Sequence, residues 1–234
     1  ETACPSGVQY GKLIEPFRVA MEQAAGTAAK SNDWFHKYIL FGVFPYPERM
    51  RKLLKPARWA QRLGLMRLAE ASGALRLLPP RLRQLVGMLP PPQKALPELP
   101  EVLPAKGRRR ARVALFSGCV ADAMFRPTNW ATVRVLQENG CDVVVPREQG
   151  CCGAIHFHAG ASEPARAFAD QNLAAFDYEG VDAVIVNVAG CGAMLRDYGH
   201  HWHDAAQPAR ERFADKVRDV NQFLDELGLV PPTG

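Results

Sequence analysis

Between Gly11 and about Met88 the apolar residues recur at intervals of three and four. Leu13, Ile14, Phe17, Ala20 and Met21 fall on one helical stripe, and Trp59, Leu63, Leu65, Met66 and Leu68 on another. The spacing predicts a succession of helices. Pro45, Pro47, Pro56 and the Pro79-Pro80 pair punctuate it, each expected at a first helical turn, because proline lacks the N–H that an interior turn needs. Beyond Val113 the period changes. Short apolar runs at Val113 to Phe116, Asp142 to Val145 and Val181 to Val188 read as strands. Helical stretches lie between them: Pro127 to Glu138, stopped by Asn139-Gly140, and Ala165 to Phe176, with Ser162 expected to cap and Pro164 in the first turn. Strands alternating with helices predict a parallel sheet with crossover helices, so the expected class is α/β, a helical N-terminal connector followed by a parallel-sheet module.

Pro90 to Pro104 holds six prolines in fifteen residues. That composition favours an extended, semi-rigid segment over regular structure and predicts a linker over residues 89–112, between a connector at 11–88 and the α/β module at 113–234. Charge divides at the same place. Residues 1–112 carry 20 Lys and Arg against 8 Asp and Glu, net +12, and residues 113–234 carry 9 against 16, net −7. Such asymmetry suits halves that face each other or an acidic partner. Arg108-Arg109-Arg110 and Arg112 lead straight into a strand without interleaved aromatics, which reads as a solvated strand entrance and speaks against nucleic-acid binding. The aromatic stretch from Trp34 to Tyr46 reads first as a packed helix face and second as a surface for a partner or a membrane. No run of roughly 20 apolar residues is present, and a cytoplasmic setting is expected, with the inner face of the membrane as an option.

The chemistry lies in the cysteines. Gly150-Cys151-Cys152-Gly153, Gly118-Cys119 and Gly190-Cys191-Gly192 each place thiols beside glycine at an expected strand end. Adjacent cysteines do not readily bridge each other, and glycine lets backbone approach sulfur, so Cys119, Cys151, Cys152 and Cys191 are candidate ligands of one iron-sulfur or zinc centre. Gly118, Gly150, Gly153, Gly190 and Gly192 would line it. Ligands at strand carboxyl ends are where open α/β sheets bind. Cys141, at a strand head, reads as a small buried hydrophobe. His156 and His158 read as loop histidines satisfied by hydrogen bonds, with a place beside the centre as the sharper alternative, and His200, His201 and His203 as a solvated turn. Cys4-Pro5 matches the way a bacterial ferredoxin cysteine run ends, its last Cys serving a different cluster; with no earlier cysteine here, residues 1–10 read as the exit of a preceding ferredoxin-like domain. No G-x-G-x-x-G follows a strand, so hydride or flavin chemistry is expected from another subunit.

Ser117-Gly118-Cys119, Gly150-Cys151-Cys152-Gly153-Ala154, Ala189-Gly190-Cys191-Gly192-Ala193 and the Cys4-Pro5-Ser6-Gly7-Val8 exit together resemble the glycolate oxidase iron-sulfur subunit family, with its cysteine-rich "CCG" module; heterodisulfide reductase B and anaerobic glycerol-3-phosphate dehydrogenase C subunits share that module, and a redox subunit of either kind, or a zinc-stabilised interaction module, is the alternative reading. The resemblance implies an electron-transfer subunit with a [4Fe-4S] cluster, zinc being the alternative, that takes electrons from FAD-containing glycolate oxidase subunits and passes them to a quinone-level acceptor, without catalysis of its own. It also implies that Cys4 serves a separate ferredoxin-type cluster, and it permits peripheral membrane association. Met194 departs from the fuller module pattern, where a second Cys follows Cys191. A thioether is a poor substitute for thiolate on ferric iron, which disfavours the five-cysteine cluster of heterodisulfide reductases and their disulfide chemistry.

Overall fold

The computed structural model describes residues 10–25, 34–93 and 95–231. Helices fill the first part. α1 (Tyr10–Ala25) contains Pro16, a π-helical turn spans Phe35–Leu40, and α2 (Pro47–Arg62), α3 (Leu65–Ala71) and α4 (Pro80–Gly87) follow. Pro47 and Pro80 sit at first turns as expected, whereas Pro45 lies in the turn before α2. Pro56 also departs from expectation: α2 runs straight through it, forgoing one backbone hydrogen bond in its middle. Gly64 and Gly73, both left-handed, make the breaks before α3 and the next 3-10 turn.

The proline-rich segment is more than a spacer. β1 (Val102–Leu103) lies within it and pairs antiparallel with the later strand β3, while Leu99 and Leu103 are buried in the core. β2 (Ala111–Phe116) then leads through α5 (Cys119–Met124) and α6 (Arg126–Glu138) to β3 (Cys141–Val144). α7 (Ala154–His158) and α8 (Ser162–Ala175) carry the chain to β4 (Ala183–Val186). α9 (Ala189–Arg196), α10 (Tyr198–His201) and α11 (Gln207–Lys216) precede β5 (Val217–Asp219), and α12 (Val220–Leu227) closes the fold. Ser162 does not cap α8. The cap position is Ala161, and the Ser162 hydroxyl accepts from Trp202 Nε1 at 2.9 Å.

The sheet order is β1-β3-β2-β4-β5, with β3, β2, β4 and β5 parallel and β1 an antiparallel edge. From β2 the chain steps outward to β3, then crosses back to β4 on the other side. The order therefore reverses between β2 and β4, and open sheets present a crevice beyond the strand carboxyl ends at such a point. Two cores cover the sheet. One includes Leu115, Val133, Leu136, Val143, Ile185 and Leu224, and the other gathers Phe116, Phe157, Val184, Leu195, Tyr198 and Phe213 around four cysteines.

The basic run before β2 is used structurally. Arg110 donates to the carbonyls of Leu227 and Gly228 at the end of α12, and Arg109 reaches Asp142 at 3.4 Å. Positive charge at a helix C-terminus is where the helix dipole favours it.

Candidate metal centre

Three strand ends deliver the thiols. β2 runs through Ser117-Gly118 into Cys119, the first residue of α5; the loop after β3 carries Cys151 and Cys152 to Gly153, just before α7; and β4 leads into α9, whose first turn holds Cys191. Each turn is sharp. Gly118 and Gly153 have φ of 69° and 86°, and a side chain on Gly153 would also press on the Ala165 carbonyl at 3.0 Å. Only glycine takes that backbone without strain, which explains the Gly-Cys and Cys-Gly pairs at these two positions. Gly150 and Gly192 are instead close to neighbours, Gln171 and Val186, whereas Gly190 has open space around it.

The four sulfurs meet. Cys119 Sγ lies 3.4 Å from Cys151 Sγ, and Cys152 Sγ lies 3.4 Å from Cys191 Sγ. Cys151 and Cys152, adjacent in the chain, join the two pairs. Cys119, Cys151 and Cys152 are buried and Cys191 is half-buried, so the group has one side toward solvent. Backbone N–H groups converge on it: that of Gly153 reaches Cys151 Sγ at 3.4 Å, and those of Val120 and Ala154 favour charge on Cys119 and Cys152. All four thiols stand in or just before a first helical turn, a position that stabilises thiolate.

Protons distribute unequally within the group. Hydrogen bonding with Cys151 lowers Cys119 against the effect of burial, and hydrogen bonds with Cys151 and then Cys191 hold Cys152 well below the ordinary thiol range. Cys151 and Cys191 are pushed up, chiefly by those hydrogen bonds and then by burial. Cys141 is different in kind: fully buried on the opposite side of the sheet at the start of β3, it is pushed up to about 11 by burial and belongs to no thiol cluster among the described residues.

A ring of neutral side chains holds the loops. Asn172, fully buried on α8, accepts from Gly150 N at 2.8 Å and donates to the Cys151 carbonyl at 2.9 Å and to Tyr198 Oη at 3.1 Å. Tyr198 Oη donates in turn to the Cys152 carbonyl at 2.9 Å. Burial first, and the nearby Cys152 charge second, keep this phenol neutral. Gln149 accepts from Ser117 N at 2.8 Å and donates to the Leu115 carbonyl, while Asn129 donates to the Ser117 carbonyl and Asn187 donates to Asn129 and Thr132. None of these residues is conspicuous in sequence, since their bonds span 12 to 58 positions with no local period. The only advance signal is that an Asn or Tyr buried in a helix must find a polar partner.

The donor set fits a thiolate-bound centre, and the spacing sets a condition. The sulfurs touch pairwise, and among the described residues no three His, Cys, Asp or Glu side chains yet surround a common point at ligand distance. Four thiolates about one zinc stand about 3.8 Å apart for Zn–S bonds of about 2.3 Å, close to the two pairwise contacts, whereas a cluster requires wider separation. Met194 is buried in the same core cluster as the four cysteines.

The other candidates resolve differently. Cys4 lies outside the described residues. His156 is buried and stacked on Phe41 at 4.5 Å, with Phe168 at 5.4 Å, but its Nδ1 has no partner among the described residues, contrary to the hydrogen-bonded reading; burial lowers its pKa. His158 Nδ1 meets Glu15 of α1 at 2.8 Å, and Arg18 donates to the His158 carbonyl, which docks α1 on α7. His201 is not a solvated turn residue: its ring lies 4.0 Å from that of Phe157 and beside Trp202.

A parallel α/β module whose strand-end loops bring four thiols together defines the cysteine-rich class, and residues 113–196 match the family described as CCG, cysteine-rich domain. Residues 31–89 match the linker region of the glycolate oxidase iron-sulfur subunit. The chain belongs to the family of glycolate oxidase iron-sulfur subunits. It is similar to the probable glycolate oxidase iron-sulfur subunit of Bacillus subtilis (strain 168), 41% identical over 97% of this chain and 52% of that protein. It is also similar to the glycolate oxidase iron-sulfur subunit of Escherichia coli (strain K12), 30% identical over 97% of this chain and 49% of that protein. Lactate utilization protein A of Exiguobacterium is 32% identical over 52% of this chain and 51% of its own length. The chain spans about half the length of the curated relatives it matches over nearly all its own length. No solved structure matches it.

Proposed function

We propose that this chain is the electron-relay part of a glycolate or related 2-hydroxy acid oxidase, with Cys119, Cys151, Cys152 and Cys191 as the thiolate ligands of one iron-sulfur centre, of the [4Fe-4S] type. The observation that carries the reading is the convergence of those four sulfurs at the strand ends. Such a centre, when bound, supplies one-electron transfer at a potential set by its ligands and surroundings. The chain's own contribution is positional. Asn172 and Tyr198 fix the backbone of the double cysteine, the helix starts favour thiolate, and burial of Cys151 and Cys152 limits water at the sulfurs. Cys4 would serve a separate ferredoxin-type cluster.

Substrate oxidation belongs, in this proposal, to a FAD-containing partner subunit, and a quinone-level acceptor receives the electrons. The net positive charge of residues 1–112 supports an acidic partner there. Among the described residues no helix is long and apolar enough to cross a membrane. The same proposal places the chain in the cytoplasm, with any attachment to the membrane made through its partners. The test is reconstitution. Glycolate-dependent dye reduction is expected only when the flavin-bearing subunits are added, and Cys151→Ser is expected to cut quinone reduction at least tenfold while the flavin subunit still binds glycolate. Glycolate turnover by this chain alone, or full quinone reduction by the variant, contradicts the relay.

The close sulfur contacts favour one second reading, a zinc-stabilised interaction module, because zinc asks for the smaller rearrangement. Metal analysis separates the two.

A further inference from the structure

Away from the cysteines, a cavity of about 240 Å³ lies where α2 meets α5, the start of α6 and the proline-rich segment. Four guanidinium groups line it, those of Arg51, Arg58, Arg62 and Arg126. Two are compensated. Arg51 and Arg126 both pair with Asp122 and Glu98, and Arg51 also pairs with Glu48. Arg58 and Arg62 have no carboxylate partner among the described residues; Arg58 Nη2 donates to the Ala123 carbonyl, at 2.5 Å. Glu98 also serves Arg147, so it is already divided among three guanidinium groups.

A guanidinium does not escape this by losing its proton under ordinary conditions. Burial, and then the charges of Arg126, Arg51 and Arg62, all disfavour the Arg58 cation. An anion in the cavity would reverse the sign of that environment. The N-terminus of the 13-residue α6, with Arg126 and Pro127 on the cavity wall, adds its positive end. The space is sufficient, far above the roughly 10–15 Å³ that a single water needs on the same measure. Its far wall is fixed, because Gln61 Nε2 donates to the Pro90 carbonyl at 3.0 Å and holds the proline segment against α2.

We infer that this cavity binds a small multivalent oxyanion, the chemistry shared by inorganic phosphate and short dicarboxylates, with Arg58 and Arg62 as its principal holders. The site is separate from the thiols but not remote from them. α5 has Cys119 at its first position and Met124 on the cavity wall at its last, about 8 Å along the axis at 1.5 Å per residue.

The experiment titrates the purified protein with sodium phosphate and with malonate, following thermal unfolding and heat of binding, with sodium chloride at matched ionic strength as the baseline. At least one of the two anions is expected to raise the melting temperature by several degrees above the baseline and to bind with a millimolar or tighter Kd. Arg62→Gln alters an exposed side chain without an ion pair among the described residues, so it is expected to fold normally and to weaken binding about tenfold, the loss of one charge-assisted contact. Arg58→Gln combined with Arg62→Gln is expected to abolish the shift. Preference for phosphate identifies a phosphoryl ligand and preference for malonate a carboxylate one, and either supports the site. Absence of binding by both anions, or wild-type affinity in Arg62→Gln, overturns it; the single variant decides the matter even if the double variant does not fold.

Discussion

The connector and the α/β module both carry apolar side chains at regular intervals, yet they bury them to very different extents. Along α1 to α4 large side chains such as Phe17, Trp59, Leu65, Leu68 and Leu77 remain exposed, and of the described residues before the proline-rich segment only Pro45 and Met50 are buried. In the module, by contrast, Leu115, Val133, Leu136, Ile185 and Phe213 are fully buried. A helical period does not by itself signal a core in the connector, because an amphipathic stripe needs an opposing surface to bury against. The module supplies that surface on both faces of its sheet.

The sharpest way to break this contrast is paired truncation. Leu136→Ala is expected to lower unfolding stability by about 3 kcal/mol, in the range for a buried leucine, whereas Leu68→Ala in α3 should stay within about 0.5 kcal/mol, both read from urea unfolding. Equal losses would mean that the connector has a core of its own. Next in size is Asn172→Ala, which removes three hydrogen bonds from the double-cysteine loop and its tyrosine. About 2–3 kcal/mol is expected, together with faster alkylation of Cys151 and Cys152. Unchanged thiol reactivity would show that Asn172 supports the fold without holding the loop.

A smaller effect concerns pH. His201 is lowered to about 4 by burial, then by the charges of His200 and His158, against an ordinary value of 6.5. Between those values the unfolded chain binds a proton that the folded chain resists, so stability is complete above pH 6.5 and is lost as pH falls toward 4. The loss attributable to this group is about 1–2 kcal/mol after allowance for partial exposure, and His201→Leu should remove that part of the slope. The smallest effect tests the junction between the two regions. Glu15→Gln weakens the contact of α1 with His158 and should cost no more than about 0.5 kcal/mol, visible as faster hydrogen exchange in α1 with little change in the module.

The alternation of strands and helices, the strand-end thiols and the separate character of Cys141 were legible because each rests on a local pattern. The rest depended on contacts distant in sequence. β1 is two residues long inside a proline-rich stretch and exists through pairing with β3, and β5 has three residues, too few for a period to show. Pro56 in the interior of α2 and Ser162 serving Trp202 instead of capping α8 show tertiary context overriding local preference. Asn172 and Tyr198 were invisible for the same reason, although they hold the loop that the cysteine pattern had revealed.

The most direct test of the central claim is iron, inorganic sulfide and zinc content of the anaerobically purified protein, measured beside its Cys→Ser variants. The account predicts iron and sulfide in equal amounts, at about four of each per chain for a [4Fe-4S] centre, lost on replacement of Cys119, Cys151, Cys152 or Cys191 and retained in Cys141→Ser. Zinc without sulfide, or full iron and sulfide in any of the four variants, would contradict it.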